Sequence, residues 1–357
     1  MAIHNRILFV VEAMGGGVFT YIVDLANELV KNNDVYIAYS VRPQTPKNYK
    51  ENFDKRINLI RVKNFTRNIN PLKDIKAAIE IKKIAKRVQP DVIHLHSSKA
   101  GVIGRIVLKN SGIPLFYTPH GYSFLMENYK PARRYFYKII EKICAKCNCT
   151  TISCSLGEHY ETIKLTKNAN YVNNGINISD LDKVIETVDV VEHPYTVFTL
   201  GRICYQKNPR LFNSIAEAMP NIKFLWIGDG ELRDELKSSN IEITGWIDRK
   251  VALRKSMNAD VFILTSLWEG LPISLLESMY MRKLCVVNDV IGNHDVIKNG
   301  KNGFVCKTVE EYVTSIKTEA KDNLIENAYN DIIKKYNTKT MCYHYEEIYN
   351  EKIHGKT

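Results

Sequence analysis

The residues best suited to chemistry lie in Trp268-Glu269-Gly270-Leu271-Pro272-Ile273-Ser274-Leu275-Leu276-Glu277, where two carboxylates stand eight residues apart. A strand end, a turn and a helix start are expected here. Glu269 then falls on the turn and Glu277 on the helix, and the amides after Gly270 offer an anion site at the helix N-terminus. Upstream, an apolar run closes in Gly201-Arg202, with Lys207 five residues later. An arginine fork and a lysine point charge can hold a pyrophosphate and stabilise the charge that builds on it as it departs. Two carboxylates near two such cations point to hydroxyl recognition beside a phosphate.

The first half holds a second set. Ile7–Val11 runs through Glu12-Ala13-Met14 into Gly15-Gly16-Gly17 and a helix, a geometry that lets an anion or a hydroxyl approach backbone N–H groups. As a dinucleotide fingerprint it is poor. Thr20 stands where the third glycine belongs, and Tyr39-Ser40-Val41-Arg42 ends the second strand without an acid for a ribose. His120, after Pro119, is by its local sequence a hydrogen-bonded structural residue. His94-x-His96 is expected to send its rings to opposite faces of a strand, so that at most one is available to a ligand. Asp180-Leu181-Asp182 reads as helix capping instead of a metal-binding Asp-x-Asp. Cys144, Cys147 and Cys149 lack a second ligand pair at zinc-site spacing. No metal site is expected.

Positioning these residues requires strands and helices in alternation. Ile7–Val11, a helix over about 17–31, Val35–Tyr39, a helix over about 72–88 and Val92–Leu95 give the βαβ rhythm of a parallel, doubly wound sheet. The rhythm restarts at Val197–Leu200, Phe224–Ile227, Val261–Leu264 and Leu284–Asn288. Between them, Tyr171-Val172-Asn173-Asn174-Gly175-Ile176-Asn177 is expected to turn through positive φ, and the hinge is placed there. Helical periodicity continues over 309–352, which suggests a terminal helix packing back on the first domain.

A chain of 357 residues, 45% hydrophobic and 25% charged, has material for two cores. The run before Glu12 is too short for a signal segment or a membrane span. The expectation is a cytoplasmic protein whose eight cysteines are reduced. Of the net charge of +11, residues 1–175 hold 27 Lys and Arg against 13 Asp and Glu. Such asymmetry suits an anionic membrane face, an anionic acceptor such as a lipid pyrophosphate, or nucleic acid. Nucleic acid would rest on charge alone, because no basic motif is interleaved with aromatics.

In order along the chain, Gly15-Gly16-Gly17, Pro119-His120-Gly121, Asn174-Gly175-Ile176-Asn177, Gly201-Arg202 with Lys207, Gly228-Asp229-Gly230 and Glu269-x7-Glu277 resemble the signatures of glycosyltransferase family 4. The resemblance covers nearly the whole chain. It implies a GT-B fold, two Rossmann-like doubly wound domains facing a central cleft. Residues 1–174 would form the acceptor domain, 175–340 the nucleotide-sugar donor domain, and 341–357 a helix crossing back to the first domain. It also implies retaining, metal-independent transfer, without a cofactor, of a hexose or N-acetylhexosamine from a nucleotide-diphosphate sugar, UDP-linked before other bases.

By the same resemblance, Arg202 and Lys207 hold the diphosphate, Glu277 the ribose hydroxyls, and Glu269 with Gly270, Leu271 and Pro272 the transferred sugar and phosphates. Thr244-Gly245-Trp246-Ile247 would line the base. His120 would lie near the sugar and acceptor, with Gly16 and Gly17 facing the same cleft. Arg202, Lys207, Glu269 and His120 are thus the expected catalytic set. A more local likeness of His94-Leu95-His96-Ser97-Ser98-Lys99-Ala100-Gly101 and of Tyr117–Tyr122 to capsule and exopolysaccharide transferases adds His96 and Lys99 on the acceptor side. It implies an undecaprenyl-diphosphate-linked acceptor. Lys130, Arg133, Arg134, Lys138, Lys142 and Lys146 share an expected helix with Tyr129, Tyr135, Phe136 and Tyr137. That helix either rests on anionic lipid or buries one aromatic stripe in the core. Asn177 and Ser278 depart from the family's usual Asp and Ala and leave the donor open. Rival readings of the same fold are a nucleotide-sugar epimerase, a phosphorylase and a binding partner without catalysis.

Overall fold

The computed structural model describes residues 4–42, 45–66, 68–188 and 191–355. They form two compact units, one of residues 1–125, 129–174 and 338–357, the other of residues 126–128 and 175–337.

The first unit contains β1 (Arg6–Met14), α1 (Gly16–Leu29), β2 (Asp34–Val41), β3 (Asn58–Arg61), α2 (Pro71–Val88), β4 (Val92–His96), α3 (Ser98–Leu108), β5 (Leu115–Thr118), α4 (Pro131–Cys144), β6 (Thr150–Ser153), α5 (Leu156–Ile163) and β7 (Ala169–Tyr171). The sheet order is β3-β2-β1-β4-β5-β6-β7, with every pair parallel. A parallel sheet is covered on both faces, so its central strands are apolar throughout. Ile7 to Val11 have no exposed surface at all. Helix α2 starts where Asn70 accepts from the Lys73 amide and Pro71 presets the first turn, and it stops at Gln89 in the left-handed region.

Two cores flank the sheet. One joins Tyr21, Ile22 and Leu25 of α1 to Met341, Cys342, Tyr345 and Tyr349 of the last helix, Thr338–His354. The Tyr21 hydroxyl donates to that of Tyr345 at 2.6 Å. The other core joins α2, α3 and the segment before α4 through Ile81, Ala100, Leu108 and Phe124.

The second unit contains α6 (Ile178–Ile185), β8 (Thr196–Leu200), α7 (Pro209–Glu217), β9 (Lys223–Ile227), β10 (Ile241–Ile243), α8 (Arg249–Met257), β11 (Val261–Leu264), α9 (Ile273–Tyr280), β12 (Leu284–Asn288), α10 (Asn293–Val296), β13 (Phe304–Cys306), α11 (Val309–Ile316) and α12 (Asp322–Lys335). Its sheet, β10-β9-β8-β11-β12-β13, is also parallel throughout. In each sheet the strand order reverses once, between β1 and β4 and between β8 and β11. Open α/β sheets bind ligands at the carboxyl ends of the strands beside such a reversal.

The helical stretch expected over 309–352 is three helices, α11, α12 and the last, α13 (Thr338–His354). The final helix starts at Thr338, three residues before the expected 341, and residues 356–357 lie outside the described set.

Two expectations are corrected. Asn173, Asn174 and Gly175 do not turn through positive φ. The Val172 and Asn174 amides donate to Ser153 and Cys154, continuing the pairing with β6, and the Ile176 amide donates to Tyr336, so the segment stays extended. Pairing outweighs the local preference of Asn-Asn-Gly. Second, His94 and His96 do not point to opposite faces. Residues two apart on a strand share a face, and the two rings lie 4.0 Å apart, both fully buried.

Candidate active site

In the second unit, β8 leads into Gly201-Arg202, and the next strand packs its own glycine turn against that pair. A side chain at Gly228 would place its Cβ 2.1 Å from the Gly201 carbonyl oxygen. Only glycine permits that approach, and it fixes the backbone from which Arg202 projects. The Arg202 Nε donates to Glu231 at 2.9 Å, with the guanidinium over one-third exposed. Lys207 follows on a 3-10 turn, and its backbone carbonyl accepts from Thr265 at 2.7 Å, tying it to the end of β11.

That tie brings two distant carboxylates into play. Lys207 Nζ lies 2.6 Å from Glu269, and the Gln206 amide nitrogen reaches the Trp268 carbonyl at 2.9 Å and the same carboxylate at 3.4 Å. The pair is largely shielded, with side chains 17% and 9% exposed. Glu277, on the second turn of α9, is buried and ion-paired with Arg249 at the start of α8. The Glu269-Gly270 turn has a backstop in Gly292, where a Cβ would sit 2.3 Å from the Gly270 carbonyl oxygen. Gly245 has φ of +72°, and next to it Trp246 is 65% exposed, an indole face open to a planar ligand. Ile247 lies between Trp246 and the α8 cap, Asp248. Two cations, two carboxylates and an exposed indole thus gather at the carboxyl ends of β8 to β11.

In the first unit, Gly16 has φ of +58°, and added Cβ atoms at Gly16 and Gly17 would meet nothing within 4 Å. The N-terminus of α1 is therefore open. Across the strand reversal lies a histidine chain. His94 meets Tyr349 at 2.5 Å and Thr118 at 2.8 Å, while His96 Nδ1 lies 3.1 Å from His120 Nε2. The Tyr21 and His120 rings pack in a T-shaped pair with centroids 4.6 Å apart.

His120 has φ of +55°, sparsely populated for a side-chain-bearing residue. Glu158 holds it there by accepting from the Gly121 amide at 2.7 Å and the Cys154 amide at 2.8 Å. His96 Nε2 is buried without a hydrogen-bond partner. One proton is shared in the hydrogen bond between His96 Nδ1 and His120 Nε2.

The resemblance gave His96 a place on the acceptor side, yet it is fully enclosed and reaches outward only through His120. Lys99 is also engaged, 2.7 Å from Asp74 and donating to Thr66 and the Asn68 carbonyl, and so pins the loop before α2. Asp180 and Asp182 belong to the start of α6. Asn177 accepts from the Asp180 amide, and Asp182 accepts from Tyr280. All eight cysteines are free, and among the described residues no three His, Cys, Asp or Glu side chains gather as a metal site. The sequence reading missed Glu158, Gln206 and Arg249. Ser155-x-x-Glu158 is a capping-box spacing that could have drawn attention to Glu158, whereas nothing local links Arg249 to Glu277.

Burial holds the pKa values of His94 and His96 well below the usual imidazole range and lowers that of His120 to about 3. The unfolded chain, with His near 6.5, then binds more protons than the native one below that pH. Stability contributed by the neutral rings is full above about 6.5 and is lost as pH falls toward 3. Each ring costs up to about 1.4 kcal/mol per pH unit within its window. Urea midpoints measured from pH 7 to pH 4 should fall steadily. His120→Asn, which tolerates the left-handed backbone, should flatten that slope, and an unchanged slope would refute the assignment.

The fold and the paired strand-end sites define a class, the GT-B glycosyltransferases. Residues 180–339 match the model for glycosyl transferases group 1, and residues 15–180 that for Glycosyltransferase Family 4. The chain belongs to glycosyltransferase family 4. It is 28% identical over 340 residues to UDP-Gal:alpha-D-GlcNAc-diphosphoundecaprenol alpha-1,3-galactosyltransferase of Escherichia coli, covering 85% of this chain and 86% of that one. Among solved structures, sucrose-phosphate synthase from Thermosynechococcus elongatus superposes with a TM-score of 0.81 at 14% identity, covering 98% and 100% of the two chains. HepE of Anabaena, in complex with UDP and glucose, gives 0.76 at 16% identity over 97% and 99%. The protein is a glycosyltransferase that uses a nucleotide sugar.

Proposed function

We propose that the chain transfers a hexose or N-acetylhexosamine from a UDP-sugar, with retention of configuration and without a metal, to an undecaprenyl-diphosphate-linked sugar in capsular or extracellular polysaccharide synthesis. The observation that carries this reading is the convergence of Arg202, Lys207, Glu269 and Glu277 at the carboxyl ends of β8 to β11. Arg202 and Lys207 would bind the diphosphate and stabilise it as it leaves. Lys207 is ready for this, because its present partner Glu269 is the group that would turn to the sugar hydroxyls. Glu277, steered by Arg249, would take the ribose, and Trp246 would cover the base.

On the acceptor half, Gly16, Gly17 and His120 would meet the sugars, with His120 presenting the ring nitrogen that His96 does not engage. The departing phosphate would accept the acceptor's proton, so no protein nucleophile is needed, and positioning with charge stabilisation supplies the rate. The donor and acceptor in the name of the Escherichia coli relative support a UDP-linked sugar and a lipid-linked acceptor. The enzyme would work in the cytoplasm, at the inner membrane surface where such a lipid is reached.

Melting the protein with a panel of UDP-, GDP- and dTDP-sugars in EDTA tests the donor. A ligand that binds only the native state must raise the transition, by about 2.7 kcal/mol of added stability at a hundred times its Kd. One UDP-sugar should stand out, and it should then label an undecaprenyl-diphosphate acceptor. A strict metal requirement, product formed without acceptor, dependence on inorganic phosphate, or no response across the panel would each overturn the reading.

A further inference from the structure

We propose that the outward side of the helix layer α2, α3 and α4 is a docking surface for an anionic lipid bilayer. This deepens the reading above by naming the surface that meets the membrane, and rests on it only for why a membrane should be met.

Helix α4 is held to the unit by its inner side. Glu141 pairs with Arg105 at 2.6 Å, and Cys144 is buried beside it. The opposite side carries Tyr135, Phe136, Ile139 and Ile143, which are 68, 52, 39 and 60% exposed. At 3.6 residues per turn these four share an arc of about 100°. Helix α2 repeats the arrangement. Ala77, Ile81, Ala85 and Val88 face the core, while Leu72, Ile75 and Ile79 on the far side are 76, 59 and 50% exposed. Ile106 of α3, 57% exposed, lies on the helix between them. The three helices pack side by side, α2 on α3 and α3 on α4, over one face of the sheet, so their outer sides form one surface.

Cations are interleaved with these side chains. Lys76, Lys83 and Lys86 lie on the outer side of α2, Lys138 and Lys142 on α4 and Lys146 just past its C-terminal end, all exposed. The acids of both helices are occupied. Glu141 is buried against Arg105, Asp74 pairs with Lys99, and Glu80 accepts from the Lys63 amide and Asn64. Scattered single exposed apolar residues are ordinary, but a contiguous set marks an interaction surface. A protein partner would favour a contact centre depleted in lysine. Long-stemmed lysines among aliphatic and aromatic side chains instead match headgroup phosphates above acyl chains. Among the described residues no helix is long and apolar enough to cross a membrane, so contact of this kind is at the surface.

The full chain is to be sedimented with vesicles of phosphatidylcholine alone and of phosphatidylcholine mixed with phosphatidylglycerol. It should bind the mixed vesicles and be released by added salt. Phe136→Ser with Ile143→Ser, and separately Lys138→Ala with Lys142→Ala, should each lower the bound fraction at least about fivefold. Circular dichroism and the thermal shift given by UDP should stay unchanged. Equal binding to both vesicle types, binding to neither, or a wild-type dimer that both variants convert to monomer would overturn the proposal, the last assigning the surface to a second copy. Vesicle binding without any UDP-sugar response would leave this surface standing and remove the transfer reading, and the reverse result would do the opposite.

Discussion

Lys207→Ala should lower kcat by at least about 10²-fold while changing KM far less, the response expected when a preorganised charge acts mainly on the leaving group. The structure gives Lys207 one partner for its ammonium, Glu269 at 2.6 Å, in a largely shielded position. On the proposed mechanism, a cation there would gain strength from the low local dielectric as negative charge moves onto the departing diphosphate. Arg202 should behave similarly but more mildly, because its guanidinium is more exposed and already bridged to Glu231. Single-turnover assays separate the step from product release. A raised KM with unchanged kcat would mean that Lys207 only holds the ground-state donor. Lys207→Arg, keeping the charge but changing its shape, should recover part of the rate and exclude simple misfolding.

The largest expected effect on stability lies elsewhere, at Arg105. Its guanidinium lies 4.1 Å over the Tyr117 ring, donates to the Gly101 carbonyl at 2.9 Å and meets Glu141, which also accepts from the Tyr117 hydroxyl at 3.0 Å. The two side chains are 2% and 6% exposed. Arg105→Met strands a buried carboxylate and should cost about 3–5 kcal/mol. Adding Glu141→Leu should recover most of that, because a well-packed apolar pair can replace a buried ion pair. Urea unfolding of the single and double variants measures the cycle, and additive losses would show that the pair is not coupled. The stakes reach beyond stability, since Glu141 is the inner anchor of α4.

Much of this was legible because it is local. Apolar runs of four or five residues marked the central strands of both sheets, and the turn residues after them placed Arg202, Lys207 and Glu269 beyond strand ends and Glu277 on the helix that follows. What the sequence could not show depends on partners far along the chain. Asn174 is extended because its own amide and those of Val172 and Ile176 donate to the Cys154, Ser153 and Tyr336 carbonyls. Lys99 pairs with Asp74 across a loop whose path no periodicity encodes. The α4 stripe was visible as a stripe, but periodicity does not say which side meets the core. The answer came from a buried glutamate whose arginine lies on another helix. The histidine pair was misread for a different reason, since strand alternation itself puts His94 and His96 on one face.

The last helix supplies Met341, Cys342, Tyr345 and Tyr349 to the core of the unit that begins the chain. During synthesis, residues 4–174 therefore leave the ribosome with those slots unfilled and the His94 ring lacking its Tyr349 partner. The other unit, complete once residue 337 is made, meets no such delay. The half made first is thus the half completed last. A premature stop shortly after residue 337 would spare the unit of residues 175–337 and leave the other unit to chaperones and proteases.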